Sequence, residues 1–185
     1  DAMSPELRAR AAFGLAEIHL ASPESRDAGV AAMRRALETD PRYSVAEPIL
    51  RRTLAAAPDH ADLLALYEEV VREIGDKPQL LGFLERRAAV DHADPAVARE
   101  ATELAIELTG EDERIDTLLA RTLELAREHS PSHEHAIWAL LALARRHQAA
   151  GDLGGAIAYL RDASAVAEPS QVHALGLELA TLAAA

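Results

Sequence analysis

The sequence contains no cysteine. Disulfides, thiolate metal sites and cysteine nucleophiles are therefore excluded together. The absence fits a reducing compartment, and a cytoplasmic location is expected. Aromatic side chains are scarce too, at 3% against 49% hydrophobic residues in all. A core must then be assembled from Ala, Leu, Val and Ile, a composition weighted towards small, helix-favouring side chains that let helices approach closely. Lysine occurs once, at Lys77, and the formal net charge is −12. Dense Lys and Arg is what grips a phosphate backbone, so nucleic acid is excluded as a partner, and a basic protein segment fits better. Arginine supplies almost all the positive charge, a bias that reads as GC-rich bacterial coding.

Long apolar runs are lacking as well. The uncharged stretch from Ala136 to Ala144 stops at Arg145 and Arg146, far too short to span a bilayer. No secretory signal opens the sequence. Its ends, "DAMS" and "TLAAA", read as those of a fragment of a longer protein. At 185 residues the chain is long enough for one domain with a real core.

What the sequence does have is helical periodicity almost throughout, with no alternating, strand-like runs. A first helix over about 5–20 carries Leu7, Ala11, Gly14, Leu15 and Ile18 on one face, which is predicted to be the buried one. A second holds Val30, Met33 and Leu37 and ends at "ETDP". A third, over 44–57, contains Pro48, predicted to fall in the first turn, where a missing N–H is harmless. Leu63, Leu66, Tyr67, Val70 and Ile74 define a fourth, closed by Gly75. Asp76 starts a fifth, with Pro78 in its first turn. Val97, Ala101, Leu104, Ala105 and Leu108 mark a sixth, stopped at Gly110. A seventh (Ile115, Leu118, Leu119, Thr122, Ala126) runs to His129. The eighth holds Ile137, Leu140, Leu141 and Ala144, and the ninth Leu153, Ala156, Ile157, Leu160 and Ala163. Pro169 admits a tenth at about 170–184, with Val172, Leu175, Leu179 and Leu182 in a stripe.

Glycine followed by an acidic residue recurs at "GDKPQL", "GEDERI" and "GDLGGA", beginning at Gly75, Gly110 and Gly151. Two helices per unit at a spacing of about 30–45 residues is the signature of an α-solenoid. "GDLGGAIAYLRDASAVAEP", with Gly151, Ala156, Leu160, Ala163 and Pro169, resembles the second helix of a tetratricopeptide repeat. "AGVAAMRRALETDP", with Met33, Ala36 and Pro41, is similar to its second half. "GDKPQLLGFLERRA" keeps the register but has Leu80 and Arg87 where small alanines are usual, and "GEDERIDTLLARTLELA" has Ile115 and Thr122 there. Trp138 sits two residues before the place where that family carries a large aromatic.

The resemblance implies an all-α, right-handed solenoid of antiparallel helix pairs, about ten helices in one domain over 1–185. Units fall near 5–41, 59–93, 94–129 and 132–169, with an irregular helix at 44–57 and a terminal helix at 170–184. It further implies a scaffold that binds a segment of another protein in a concave groove lined by the first helix of each pair. Carried onto the fourth helix, the groove face holds Asp62, Ala65, Glu69 and Arg72; on the eighth it holds Trp138, Leu141, Arg145 and Gln148. The Lys and Asn clamp with which some members grip a C-terminal carboxylate is missing, leaving only Arg145 for that task. The alternative reading is a regulatory or spacer module of a larger protein, with a helical enzyme or metal-binding domain ranked below it.

Chemistry is not otherwise signalled. His129, His133 and His135 cluster in the stretch "HSPSHEH". His133 and His135 are two residues apart and point to opposite sides of a helix, whereas zinc wants i, i+4 spacing and a third ligand. These histidines are read as loop residues, with Ser130 or Ser132 as the helix N-cap, Pro131 at the first position and His129 favoured by a helix C-terminus. No phosphate loop, nucleophile elbow or H-E-x-x-H motif is present. No enzyme activity, metal or cofactor is expected. The terminal helix carries one formal charge, at Glu178, so either a further repeat or a second copy of the chain is expected to cover it.

Overall fold

The computed structural model describes residues 5–110, 112–129 and 133–183. Among these residues the protein is all-α. Its helices are α1 (Pro5–Ala21), α2 (Arg26–Thr39), α3 (Tyr43–Ala56), α4 (Ala61–Ile74), α5 (Lys77–Ala88), α6 (Pro95–Thr109), α7 (Glu113–Glu128), α8 (His133–Ala149), α9 (Leu153–Val166) and α10 (Pro169–Ala183). The chain divides into two compact units between Leu80 and Leu81.

The helix ends follow from local chemistry. Asp94, Asp112 and Asp152 accept hydrogen bonds from Ala96 N, Arg114 N and Gly155 N at the starts of α6, α7 and α9. Each satisfies an N–H that the helix itself leaves unpaired. Gly75, Gly110 and Gly151, where α4, α6 and α8 stop, have φ of 76°, 71° and 79°. That sign is nearly free for glycine and costly for other residues.

In the N-terminal unit, α1 packs on α2 and α3 on α4, and alternate helices touch as well, α1 with α3 and α2 with α4. The α3 helix, read from sequence as irregular, thus packs on both α4 and α1. The α1–α2 approach is very close. A Cβ on Gly29 would lie 2.6 Å from the Leu20 backbone nitrogen, so only glycine fits without movement.

Two sequence expectations fail in this unit. On α1 it is Ala9, Phe13, Ala16 and Leu20 that are buried, while Leu7, Leu15 and Ile18 are 55%, 54% and 70% exposed. Both stripes have helical spacing; the buried one ends in Leu20, whose backbone lies against Gly29 of α2. Pro48 lies inside α3, at its sixth residue, and not in the first turn. It deprives the Ser44 carbonyl of a donor, but both residues are exposed, so water can serve. Burial of Ala46, Leu50 and Thr53 carries the helix through.

In the C-terminal unit, α6, α7, α8, α9 and α10 pack each on the next, and α6 also touches α8. Ala88, at the end of α5, forms a core cluster with Ala98 and Leu125. Arg121 on α7 donates to the carbonyls of Ala88 and Val90, both at 2.8 Å, supplying donors to carbonyls at the end of α5. Buried Thr102 and Thr122 satisfy their hydroxyls on the carbonyls four residues back.

The repeat period is visible in side-chain pairs as well as in backbone packing. Arg52 bonds Glu17 between α3 and α1, Arg34 bonds Glu69 between α2 and α4, and Arg99 bonds Glu134 between α6 and α8. All three pairs are 35 residues apart. Pairs this exposed are worth only about 0–1 kcal/mol each; they report the helix-on-helix spacing more than they enforce it.

Candidate functional site

The residues selected from sequence lie on two helices, one in each unit. On α4, Asp62, Ala65, Glu69 and Arg72 are all exposed, opposite the buried Leu63, Leu66, Tyr67 and Val70. Glu69 accepts from Arg34 at 2.9 Å, and Arg72 donates to Glu68 at 2.6 Å. Nearby, Tyr67 donates to Glu47 at 3.2 Å and accepts from Gln79 Nε2 at 2.7 Å. Burial raises the tyrosine pKa, the Gln79 hydrogen bond opposes the rise, and the neighbouring Glu47 charge adds to it. This network ties the start of α5 to α3 and α4.

On α8, Trp138 and Leu141 are half-buried, and Arg145 and Gln148 are exposed. The Arg99 guanidinium of α6 stands 4.9 Å above the Trp138 ring, a cation–π contact. Its nitrogens also bond Glu103 at 2.9 Å and Glu134 at 3.3 Å. The result is a partly open aromatic flanked by fixed charges on the α6–α8 face. The α4 and α8 groups belong to different units.

Sequence reading missed the other side of α8. His147 is nine residues from Trp138, about 180° around the helix. There α7 and α9 do not pack on each other, and a groove of about 600 Å3 opens, with Ala120, Leu123, Leu143 and Tyr159 forming its apolar part. The His147 and Tyr159 rings meet at 5.1 Å. His147 Nδ1 also lies 2.8 Å from Asp152 Oδ2, while the other oxygen of Asp152 caps α9 through Gly155 N at 2.9 Å. The Gly155 N–H bond, with His147 adding, holds the Asp152 carboxyl below its usual range. A side chain on Gly155 would collide with both Asp152 and His147. Of the glycine pair in "GDLGG", Gly155 thus has a steric role at this corner, whereas a Cβ on Gly154 would make only ordinary contact. The signal was in the sequence, as a histidine and an aspartate bracketing a turn, but no motif points to it.

The histidine cluster is arranged differently from the loop expected. His133 and His135 are in the first turn of α8, because the helix begins at His133. Nδ1 of His129 lies 3.0 Å from the Leu125 carbonyl at the end of α7. The capping roles given to Ser130, Pro131 and Ser132 lie outside the described residues. Among the described residues no group of three or more His, Asp or Glu side chains could hold a metal ion. Nor is any described helix long and apolar enough to cross a membrane.

Fold and packing together define an all-α protein with the arrangement of a helical repeat. No protein-family model and no curated protein matches the sequence.

Proposed function

We propose that the chain is a protein-interaction module of the tetratricopeptide-like kind, holding a segment of a partner protein against the α6–α8 face. The observation that carries the reading is Trp138, half-exposed beneath Arg99. Leu141, Arg145 and Gln148 continue its stripe along α8. An aromatic anchor with hydrogen-bonding and charged neighbours is the composition from which binding hot spots are built. The net charge of −12 favours a partner segment with basic residues. Self-association through α10 belongs to the same proposal, supported by the exposure of Val172 and Leu177 on that helix.

The test is selection of a random peptide library on the full chain, followed by titration of the selected binders. Binding should weaken by about tenfold or more in Trp138→Ala, weaken also in Arg145→Glu, and fall as salt rises. Binders indifferent to both substitutions, or a selection that enriches nothing, would sink the reading.

A further inference from the structure

The groove on the opposite side of α8 has chemistry of its own. Asp116, Glu124 and Glu128 of α7 line it, and Asp152, the cap of α9, bonds the lining His147. Each of these carboxylates has an arginine or histidine partner, and the pairs are lopsided. Asp116 is 54% exposed against 26% for Arg146, Glu124 60% against 21% for Arg121, and Asp152 53% against 36% for His147. Arg121 spends its remaining donors on the Ala88 and Val90 carbonyls, and Arg146 reaches the Asp112 carbonyl. In these three pairs the arginine or histidine is the less exposed member and the carboxylate the more exposed. Glu128 follows the opposite order, with its partner His92 the more exposed, and Arg127 is an exposed cation in the lining. The balance presented at the rim is still acidic.

We infer that this groove docks an amphipathic helix of a partner protein, with an apolar ridge on Ala120, Leu123, Leu143 and Tyr159 and a basic edge against Asp116 and Glu124. The thirteen residues from Asp116 to Glu128 extend about 18 Å along α7, some three helical turns. A helix suits the site better than an extended strand because it satisfies its own backbone groups, and the groove offers mainly carboxylates and apolar carbon. It would lie over α8 between α7 and α9, in contact with ridges that those two helices do not use on each other. This site is on the far side of α8 from Trp138, so losing one leaves the other measurable.

The probe is a dye-labelled Leu/Lys amphipathic peptide of about 18 residues, near 27 Å as a helix, titrated into the full chain by fluorescence anisotropy. A scrambled isomer of the same composition and a Leu/Glu counterpart are run beside it. The amphipathic Leu/Lys peptide should bind at least about tenfold more tightly than its scramble, and the Leu/Glu peptide should not bind. Ala120 is exposed in the groove; Ala120→Arg should weaken binding by about tenfold or more. The same charge change on the exposed Ala96 of α6 should weaken it far less. If the Ala120 variant melts early, Glu124→Lys on the exposed rim takes its place, with weaker binding again expected. Equal affinity for the two isomers, equal effects at Ala96 and in the groove, or no binding at all overturns the inference.

Discussion

The two units treat the same helix period differently. In the N-terminal unit both sets of alternate helices touch, α1 with α3 and α2 with α4. Gly29 brings α2 against the α1 backbone, and Glu47, Tyr67 and Gln79 form a partly buried polar link. In the C-terminal unit α6 touches α8 but α7 stays off α9, and the larger Leu123, Leu143 and Tyr159 line the gap. Packing closed on both sides leaves little to bind with. The gap between α7 and α9 leaves a groove while the sequential packing of α6 to α10 keeps the unit whole.

The sharpest way to break this contrast is to force the tight side open. Gly29→Val should cost about 3 kcal/mol by overpacking α1 on α2, read as a fall in urea midpoint. Gly14→Ala, whose new Cβ meets nothing, should instead gain up to about 1 kcal/mol in helix propensity. Equal effects would remove the claim of a close approach. In the C-terminal unit the fully buried Ala156 is the counterpart. Ala156→Leu should cost about 2 kcal/mol, less than Gly29→Val because α9 has open space beside α7 into which to shift; a larger loss would reverse the comparison.

Next in size is Arg121→Met, which removes donors from two carbonyls at the end of α5. A loss of about 2 kcal/mol is expected, accompanied by faster amide exchange in residues 85–93.

The cap of α9 supplies a pH test. The Asp152 pKa is depressed in the folded state, so its contribution is present above its ordinary value of 3.8 and is lost as pH falls through the lower folded value. Asp152→Ala should therefore melt below the parent at neutral pH, and the two curves should converge in acid. Parallel curves down to the lowest pH at which the fold survives would rule out a carboxylate cap.

The smallest change in stability is expected at Leu177, 59% exposed on α10. Leu177→Glu should leave the melt within about 0.5 kcal/mol of the parent while lowering the weight-average mass measured by light scattering. Leu175 and Leu182 are unsuitable for this purpose because both are buried. A parent that is monomeric at high concentration would end the self-association proposal.

Much of the fold was legible because helix periodicity and turn chemistry are local. The stripes of α2 and α7 and the stops at Gly75, Gly110 and Gly151 needed only neighbours in sequence. The α1 face was misread because two apolar stripes share that helix, and which is buried is settled by the packing of α1 on α2. Pro48 was misplaced because a solvent-facing gap in the helix ladder is tolerated where burial continues on the other side. Of the candidate surfaces, the stripe holding Trp138 could be drawn from α8 alone. The groove could not, because it consists of a distance between α7 and α9, and no sequence pattern records a contact that fails to form.

The turn at Gly75 carries one more implication, in stereochemistry. Its φ of 76° and ψ of 18° belong to the mirror image of ordinary helical backbone, so for that residue the chain follows the rule of the opposite hand. An L-residue there is strained by roughly 1–2 kcal/mol, and His92, at φ 58°, already bears such strain. Glycine avoids the strain by having no hand at all, at the cost of a more disordered unfolded chain. In a chemically synthesised protein, D-alanine at position 75 would suit both states, matching the folded φ and restricting the unfolded chain. The same replacement within α4 would reverse the sign of the effect, so comparing the two would measure how much of this fold rests on chirality at single atoms.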